Sequence, residues 1–135
     1  MDSSILHKYV GRNETSELSH ISEMETLDDL GAFGWLRGFR ERAAMLELRK
    51  KTGNILAIPY GWIERAEFDP SEGITLYTCG KIITIRGRNL NSDIRPHIRL
   101  FQGIAQHRVL WIQESEQSAS LQAAKDATVV EQIQW

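Results

Sequence analysis

The sequence has a single cysteine, Cys79, among its 135 residues. One cysteine cannot build an internal disulfide framework, and such a composition is typical of proteins in a reducing compartment. No apolar run approaches the roughly 20 residues that a membrane-spanning helix needs. The first 20 residues lack the charged-then-apolar layout of a signal peptide. We therefore expect a cytoplasmic protein.

Motifs that carry familiar chemistry are also missing. The four histidines stand at positions 7, 20, 97 and 107, so no two are spaced as a metal-binding pair on one helix. There is no G-x-S-x-G nucleophile motif, P-loop or dinucleotide-binding fingerprint. Glu64 falls among the apolar residues of a predicted strand, where burial would suit it to acid–base catalysis, whereas a bulge after Pro59 would turn it outward. The sequence favours a non-catalytic protein with no cofactor and no metal.

The net charge of -2 conceals an uneven distribution of charged residues. Residues 1–32 carry a balance of -5, residues 33–112 a balance of +6, and residues 113–135 a balance of -3. A basic centre between acidic ends indicates an anionic partner, or ends that fold back on the centre. A random scatter of charges in a small protein explains the same numbers equally well.

The strongest pattern in the chain is a series of short strands that begins near residue 45. Apolar and polar residues alternate in each run, and turn residues separate the runs. The predicted strands cover residues 45–51, 55–58, 62–68, 74–79 and 82–86, with turns at 52–54, 69–73 and 80–81. This period of two with short connections predicts an antiparallel meander.

Two helices and two further strands are predicted around this meander. Thr26 and the acidic residues after it resemble a helix start. A second helix is predicted over residues 93–107, where Ile94, Ile98, Phe101 and Ala105 share one face. Strands are expected at 109–112 and 128–135, with a loop between them. The last strand should add to a sheet edge, within the chain or in a partner, and partly bury Trp135.

These elements predict an α+β fold in a single small domain. We expect an antiparallel, curved or barrel-like β-sheet of about five or six strands with one packed helix in the C-terminal half. The domain should span residues 26–135, and residues 1–25 should form a flexible or loosely docked acidic segment. The predicted core contains Trp62, Phe68, Leu76 and Ile85, with Phe101 packing from the helix onto the sheet.

The order of elements between Leu46 and Ile112 resembles the LytTR class of β-rich DNA-binding domains. The residues that carry the resemblance are Ile58-Pro59, Ile63, Arg86, Leu90 and His107-Arg108. That family continues with Ser and a strand ending in Asn, where this chain has Val109-Leu110-Trp111-Ile112. Small barrels of the Sm or SH3-like type give similar spacing. The resemblance implies a β-rich fold and DNA binding.

Two functions are consistent with these observations. The first is a small, non-catalytic interaction module whose partner is a protein, including a second copy of the chain. The alternative is a nucleic-acid-binding β domain that uses the basic surface of residues 33–112, where aromatic residues are interleaved with Lys and Arg. Its candidate residues are Arg49, Lys51, Arg86, Arg88 and Arg108. Neither function involves a membrane.

Overall fold

The computed structural model describes residues 26–38 and 40–135. In chain order the strands are β1 (Leu27–Asp29), β2 (Phe33–Leu36), β3 (Met45–Arg49), β4 (Ile55–Pro59), β5 (Ile63–Asp69), β6 (Gly73–Thr78), β7 (Lys81–Arg88), β8 (Val109–Gln113) and β9 (Val129–Gln134). The helices are α1 (Leu100–Ala105) and α2 (Gln117–Gln122), and a 3-10 turn, Tyr60–Trp62, links β4 to β5. The prediction for residues 1–25 lies outside the described part of the chain.

The strands form two sheets. Sheet A has five strands in the order β1-β2-β8-β3-β4, and sheet B has four in the order β5-β6-β7-β9. Neighbouring strands are antiparallel except β3 and β8, which run parallel. The predicted α+β class is confirmed, and its strands are divided between two sheets.

The core lies between the inner faces of these sheets. On β3, Leu46 and Leu48 point inward and are fully buried, while Glu47 between them lies on the outer face. The same alternation buries residues of sheet B, namely Ile74, Leu76, Ile83, Ile85 and Ile133. Each such side chain stabilises the fold by roughly 1.5–3 kcal/mol relative to an exposed position.

The helix α1 packs against β5 and β8. Phe101 lies half-buried with its ring 5.9 Å from the ring of Phe68 on β5, which confirms the predicted packing of Phe101 on the sheet. On the other side of α1, a Cβ added to Gly103 would lie 2.5 Å from the ring of Trp35, so this close approach requires glycine. Neither helix of the described ranges has the length and apolarity that crossing a membrane would need.

The predicted helix after Thr26 is wrong. Leu27–Asp29 and Phe33–Leu36 instead pair as an antiparallel hairpin. Its turn is fixed by Gly31, which has a φ of +84° and donates its N–H to the Asp29 side chain at 2.9 Å. A residue with a left-handed backbone conformation at this point ends any helix, and glycine adopts this conformation without strain.

Three further sequence predictions are corrected by the structure. The helix predicted over residues 93–107 is confined to Leu100–Ala105, because Arg95 pairs with Ile98 in an isolated bridge and His97 has a φ of +66°. The loop predicted between β8 and β9 contains α2. Trp62 is not in the core. It is the last residue of the 3-10 turn and is 57% exposed.

The C-terminal strand adds to a sheet edge within the chain, as predicted. β9 pairs with β7, and its residues Val130 and Ile133 are buried. Trp135 packs half-buried against the core, with the Lys50 ammonium 4.2 Å from its ring centroid.

Glu114 joins the two sheets. It directly follows β8 and is only 6% exposed. Its Oε1 accepts the N–H of Lys51 at 3.0 Å, in the turn after β3, and its Oε2 accepts the N–H of Ile133 at 2.7 Å, on β9. Next to it, the Ser115 N–H donates to the Val130 carbonyl at 2.7 Å. The end of β8 therefore covers the outer edge of β9, and within the described residues β1, β4 and β5 are the remaining sheet edges.

Candidate functional site

The five basic candidate residues are distributed over both sheets. Arg49 ends β3 and Lys51 lies in the following turn, whereas Arg86 and Arg88 lie on β7 of sheet B. Arg108 immediately precedes β8. Lys51 and Glu131 line one open cleft of about 580 Å³ beside β9, and Arg88 reaches the same Glu131. The structure thus brings Lys51 and Arg88 towards each other and leaves the other three elsewhere.

Four of these five side chains have an oxygen partner, which is a carboxylate for three of them and a backbone carbonyl for the fourth. Arg49 bonds Glu47 at 2.5 Å, Arg86 lies 3.5 Å from Glu72, and Arg88 lies 3.8 Å from Glu131. The Arg108 guanidinium donates to the carbonyl of Leu36 and lies 5.2 Å from the Trp35 ring centroid. Burial, and then the nearby charge of Arg42, lowers the pKa of Arg108. Three of the five candidates are therefore paired with carboxylates, which reduces the positive charge that they present to a phosphate backbone.

The outer face of sheet A has a different character. Alternation along β3 and β4 places every second residue on this face, and Trp111 of β8 joins them because it pairs with Glu47. Over β3, β4 and β8 the outer face consists of Met45, Glu47, Arg49, Ile55, Ala57, Pro59, Trp111 and Gln113, the last of which pairs with Arg49. Five of these eight residues are apolar. Met45 and Ile55 are markedly exposed, Ile55 at 58%.

Trp111 is held flat on this outer face by its neighbours. A Cβ added to Gly34 on β2 would lie 2.4 Å from the Trp111 indole nitrogen, so the ring lies across the glycine. On the other side, the Arg49 guanidinium lies 4.6 Å from the Trp111 ring centroid. An aromatic ring fixed in this way loses little conformational entropy when a partner covers it.

The backbone of β4 points half of its hydrogen-bonding groups away from the sheet. At one end of the β3–β4 hairpin, the Lys50 N–H donates to the Asn54 carbonyl at 2.8 Å, and at the other the Tyr60 N–H donates to the Ala44 carbonyl at 2.9 Å. In an antiparallel ladder the bonded residues alternate with unbonded ones. The even-numbered residues of β4 therefore bond to β3, and Ile55, Ala57 and Pro59 present their backbone groups outward.

The three edge strands differ in how they are protected. β1 has three residues, two of them Asp28 and Asp29, and β5 carries four charged residues. Charged side chains and short length are the usual means by which proteins block strand addition at an edge. β4 reads Ile-Leu-Ala-Ile-Pro and carries no charge. Its one protective residue is Pro59, at its end.

The outer face of sheet B is polar in comparison. Tyr77 donates its hydroxyl to Glu67 at 3.0 Å and lies under Arg65, whose guanidinium is 4.1 Å from the ring centroid. Thr84 bonds the side chain of Gln134 at 3.2 Å. Ile82, at 60% exposure, is the large apolar residue on this face. The apolar outer surface is therefore a property of sheet A.

The structure places the catalytic candidate on the surface. Glu64 is exposed, because the β5–β6 register shifts between Ile63 and Arg65 and turns it outward. It lines a shallow cleft of about 240 Å³ with Tyr60 and His107. The Tyr60 ring stacks on His107 at 4.4 Å between centroids, and its hydroxyl already donates to the Val109 carbonyl at 2.6 Å. No three His, Cys, Asp or Glu side chains in the described ranges are grouped as metal ligands.

A cleft of about 510 Å³ lies between the β1–β2 turn, α2 and β9. Small residues, among them Ala119, Ala123 and Ala127, make up much of its lining. Glu114 borders it, but both of its oxygens already accept backbone N–H groups. The other carboxylate in its lining, Glu116, is exposed to solvent, so the cleft has no buried, unpaired carboxylate that would indicate a bound ligand.

Comparison with known proteins does not assign the chain to a group: no family model, no curated protein and no solved structure matches it. The resemblance to LytTR domains finds no support in these comparisons. The inference of function therefore rests on the surface itself.

Sequence reasoning missed the outer face of sheet A. The run Ile55–Pro59 is apolar at every position, so it does not show which side chains face the core. Trp111 lies in a similar apolar run. A signal was nevertheless present, since an uncharged strand next to the strongly alternating β3 is unusual for a sheet edge.

Proposed function

We propose that this protein is a non-catalytic interaction module that binds an extended, uncharged protein segment at β4 and the adjoining outer face of sheet A. The observation that carries the proposal is that β4 is an open edge without charge, whereas β1 and β5 carry charged residues. An added strand would satisfy the outward N–H and carbonyl groups of β4. Its side chains would cover the apolar residues beside them.

The fixed ring of Trp111 supports the same proposal. Aromatic and arginine side chains are enriched at the centres of protein interfaces, where they supply most of the binding free energy. Here Arg49 lies on β3, next to the open edge strand, and its guanidinium contacts Trp111 on β8, the following strand. A partner that pairs with β4 and extends over β3 would reach both.

The unpaired thiol of Cys79 supports a cytoplasmic site of action. Cys79 is exposed and has no second cysteine in the chain to bond with. Exposed thiols persist where glutathione and thioredoxin keep them reduced. We propose the cytoplasm on this basis.

Site-specific photo-crosslinking tests the proposed surface. A benzophenone side chain introduced at Ile55, which is 58% exposed, should form a protein adduct of defined mass in cells that express the full chain. The matched position is Ile82, which is 60% exposed on the polar face of sheet B, and it should give no such adduct.

A second substitution makes the result specific to this face. Met45→Lys, on the strand next to β4, should abolish the adduct formed from position 55 while the melting temperature stays close to that of the unsubstituted chain. Equal crosslinking from positions 55 and 82, or no adduct from either, would contradict the proposed function.

A further inference from the structure

The β4 edge is complementary to itself. Because the strand carries no charge, two copies placed side by side bring no like charges together. Its outward backbone groups belong to Ile55, Ala57 and Pro59, which are spaced symmetrically about Ala57. A two-fold axis through Ala57 would therefore set each donor of one strand opposite an acceptor of the other.

We infer that the segment bound at β4 is the β4 strand of a second copy, so that two chains form a symmetric dimer with one continuous sheet. This inference rests on the proposed function and names its partner. Sheet A contributes five strands from each copy. The antiparallel arrangement follows from the two-fold axis, since the two identical strands must run in opposite directions.

The register follows from the hydrogen-bonding groups. With Ala57 opposite its own copy, both Ala57 N–H groups donate to the opposing Ala57 carbonyls. Each Ile55 N–H then donates to the carbonyl of Pro59 in the partner chain. Pro59 has no N–H to give in return, so its position at the end of the pairing removes a bond at each end and none at the centre.

Side chains on the outer face fit the same register. Ile55 of one copy would lie beside Pro59 of the other, and the two Ala57 methyl groups would meet on the axis, where a charged residue would face its own like charge. Met45 pairs with Pro59 within each chain and extends the apolar contact. Trp62, which is 57% exposed after β4, would lie next to the Lys51–Gly53 turn of the other copy, and this contact would explain its position outside the core.

Removing one N–H tests the inference. In Ala57→Pro the lost N–H is one that points away from β3, so the β3–β4 ladder stays intact while the central pair of intermolecular bonds is lost. The matched control is Ala57→Val, which keeps the N–H and favours an extended backbone. Mass is measured by light scattering over a wide range of concentrations, with the melting temperature of each variant.

We expect the unsubstituted chain and Ala57→Val to pass from 15.4 kDa to twice that mass as concentration rises. Ala57→Pro should stay at 15.4 kDa with a melting temperature near that of the unsubstituted chain. An unsubstituted chain that stays monomeric throughout, or an Ala57→Pro variant that dimerises equally well, would overturn the inference.

A second measurement decides the matter if Ala57→Pro fails to fold. The two residues of a hydrogen-bonded antiparallel pair, such as Ala57 and its copy, lie about 5.5 Å apart at Cα, within the range of a disulfide. In a Cys79→Ser background, Ala57→Cys should therefore form a covalent dimer under mild oxidation, and Ile82→Cys should not. Equal covalent dimer from both positions, or none from either, counts against the pairing.

The proposed function and this inference fail separately. A crosslink from position 55 to a different protein, in a chain that stays monomeric, keeps the docking surface and rejects the second copy as its occupant. A crosslink from position 55 to the same chain supports both. The absence of any adduct from position 55 rejects the docking surface itself.

Discussion

The carboxylate of Glu114 accepts one backbone N–H from the β3–β4 turn and one from β9, so a single side chain connects the two sheets. Glu114→Gln replaces one acceptor oxygen by an amide nitrogen that can only donate. One buried N–H then loses its acceptor, and we expect the free energy of unfolding to fall by about 1–3 kcal/mol. Urea denaturation measures the change.

The matched control for this prediction is Glu116→Gln, since Glu116 is an exposed residue two positions further on. It should leave the unfolding midpoint unchanged. An unchanged midpoint in Glu114→Gln as well would show that the two bonds contribute nothing to stability.

A second prediction at the scale of one residue concerns Tyr60. Its buried hydroxyl donates to the Val109 carbonyl at 2.6 Å, and burial raises the pKa of Tyr60. The folded chain therefore holds this proton more tightly than the unfolded chain, whose tyrosine pKa is about 10. The resulting stability is fully present below about pH 10 and is lost as the pH rises further.

Tyr60→Phe should cost about 1 kcal/mol at neutral pH through the lost hydrogen bond. It should also reduce the loss of stability between neutral and alkaline pH, as measured by urea denaturation at a series of pH values. Tyr77→Phe is the control, because the Tyr77 hydroxyl bonds Glu67 on the exposed face of sheet B. If both variants show the same alkaline profile, burial of Tyr60 does not govern it.

At the scale of elements, β9 completes sheet B. Five of its six residues pair with β7, and it contributes Val130 and Ile133 to the core. Truncation after Asp126 exposes the inner face of β7. It also removes the Ile133 N–H, which donates to the Glu114 carboxylate. We expect the truncated chain to lose its cooperative thermal transition, measured by circular dichroism.

Deletion of Trp135 alone is the comparison for this truncation. It removes the contact with Lys50 and leaves β9 paired, so it should lower the melting temperature while the transition stays cooperative. A truncated chain that melts like the full chain would show that β9 is not part of the folding unit.

Elements with strict alternation were predictable from the sequence. β6 and the first part of β7 expose one face to water, so their polar residues reveal which side chains face the core, whereas in β5 the register shift after Ile63 breaks the alternation. Thr26 and the acidic residues after it match a helix start, but they equally suit a hairpin that turns at Gly31. Short apolar segments fit both structures, and only tertiary pairing decides between them.

The outer face of sheet A could not be predicted for a different reason. It depends on β8 lying between β2 and β3, and Glu47 pairs with Trp111 across more than sixty residues of chain. Local patterns carry no information about such pairing. The basic candidates illustrate the same limit, since Arg88 meets Glu131 only because β7 pairs with β9.

At the scale of the whole molecule, the candidate arginines on the two sheets are paired with nearby carboxylates. Arg49, Arg86 and Arg88 each have a carboxylate within 4 Å, and they lie on two different sheets. Nucleic-acid affinity arises mainly from basic groups that neutralise phosphates. We therefore expect no saturable binding of a labelled single-stranded oligonucleotide at low salt, measured by fluorescence anisotropy.

A contrary result would have a recognisable form. Saturable binding that weakens steeply with salt, and that is lost in a Lys51→Glu and Arg88→Glu double variant, would establish the nucleic-acid alternative. Arg65→Glu is the control, because Arg65 lies on the opposite edge of sheet B and should not affect binding.

The central position of β8 in sheet A has a consequence for the order of folding. β2 and β3 follow each other in the chain, yet they are held together by a strand that begins at Val109. The strands β5, β6 and β7 pair with their neighbours in sequence, so their backbone pairing can begin before β8 and β9 have been made. We expect sheet A to remain incomplete until β8 has been made. During that interval β2 and β3 expose the backbone groups that later pair with β8, and the nascent chain is most open to wrong partners just before β8 arrives.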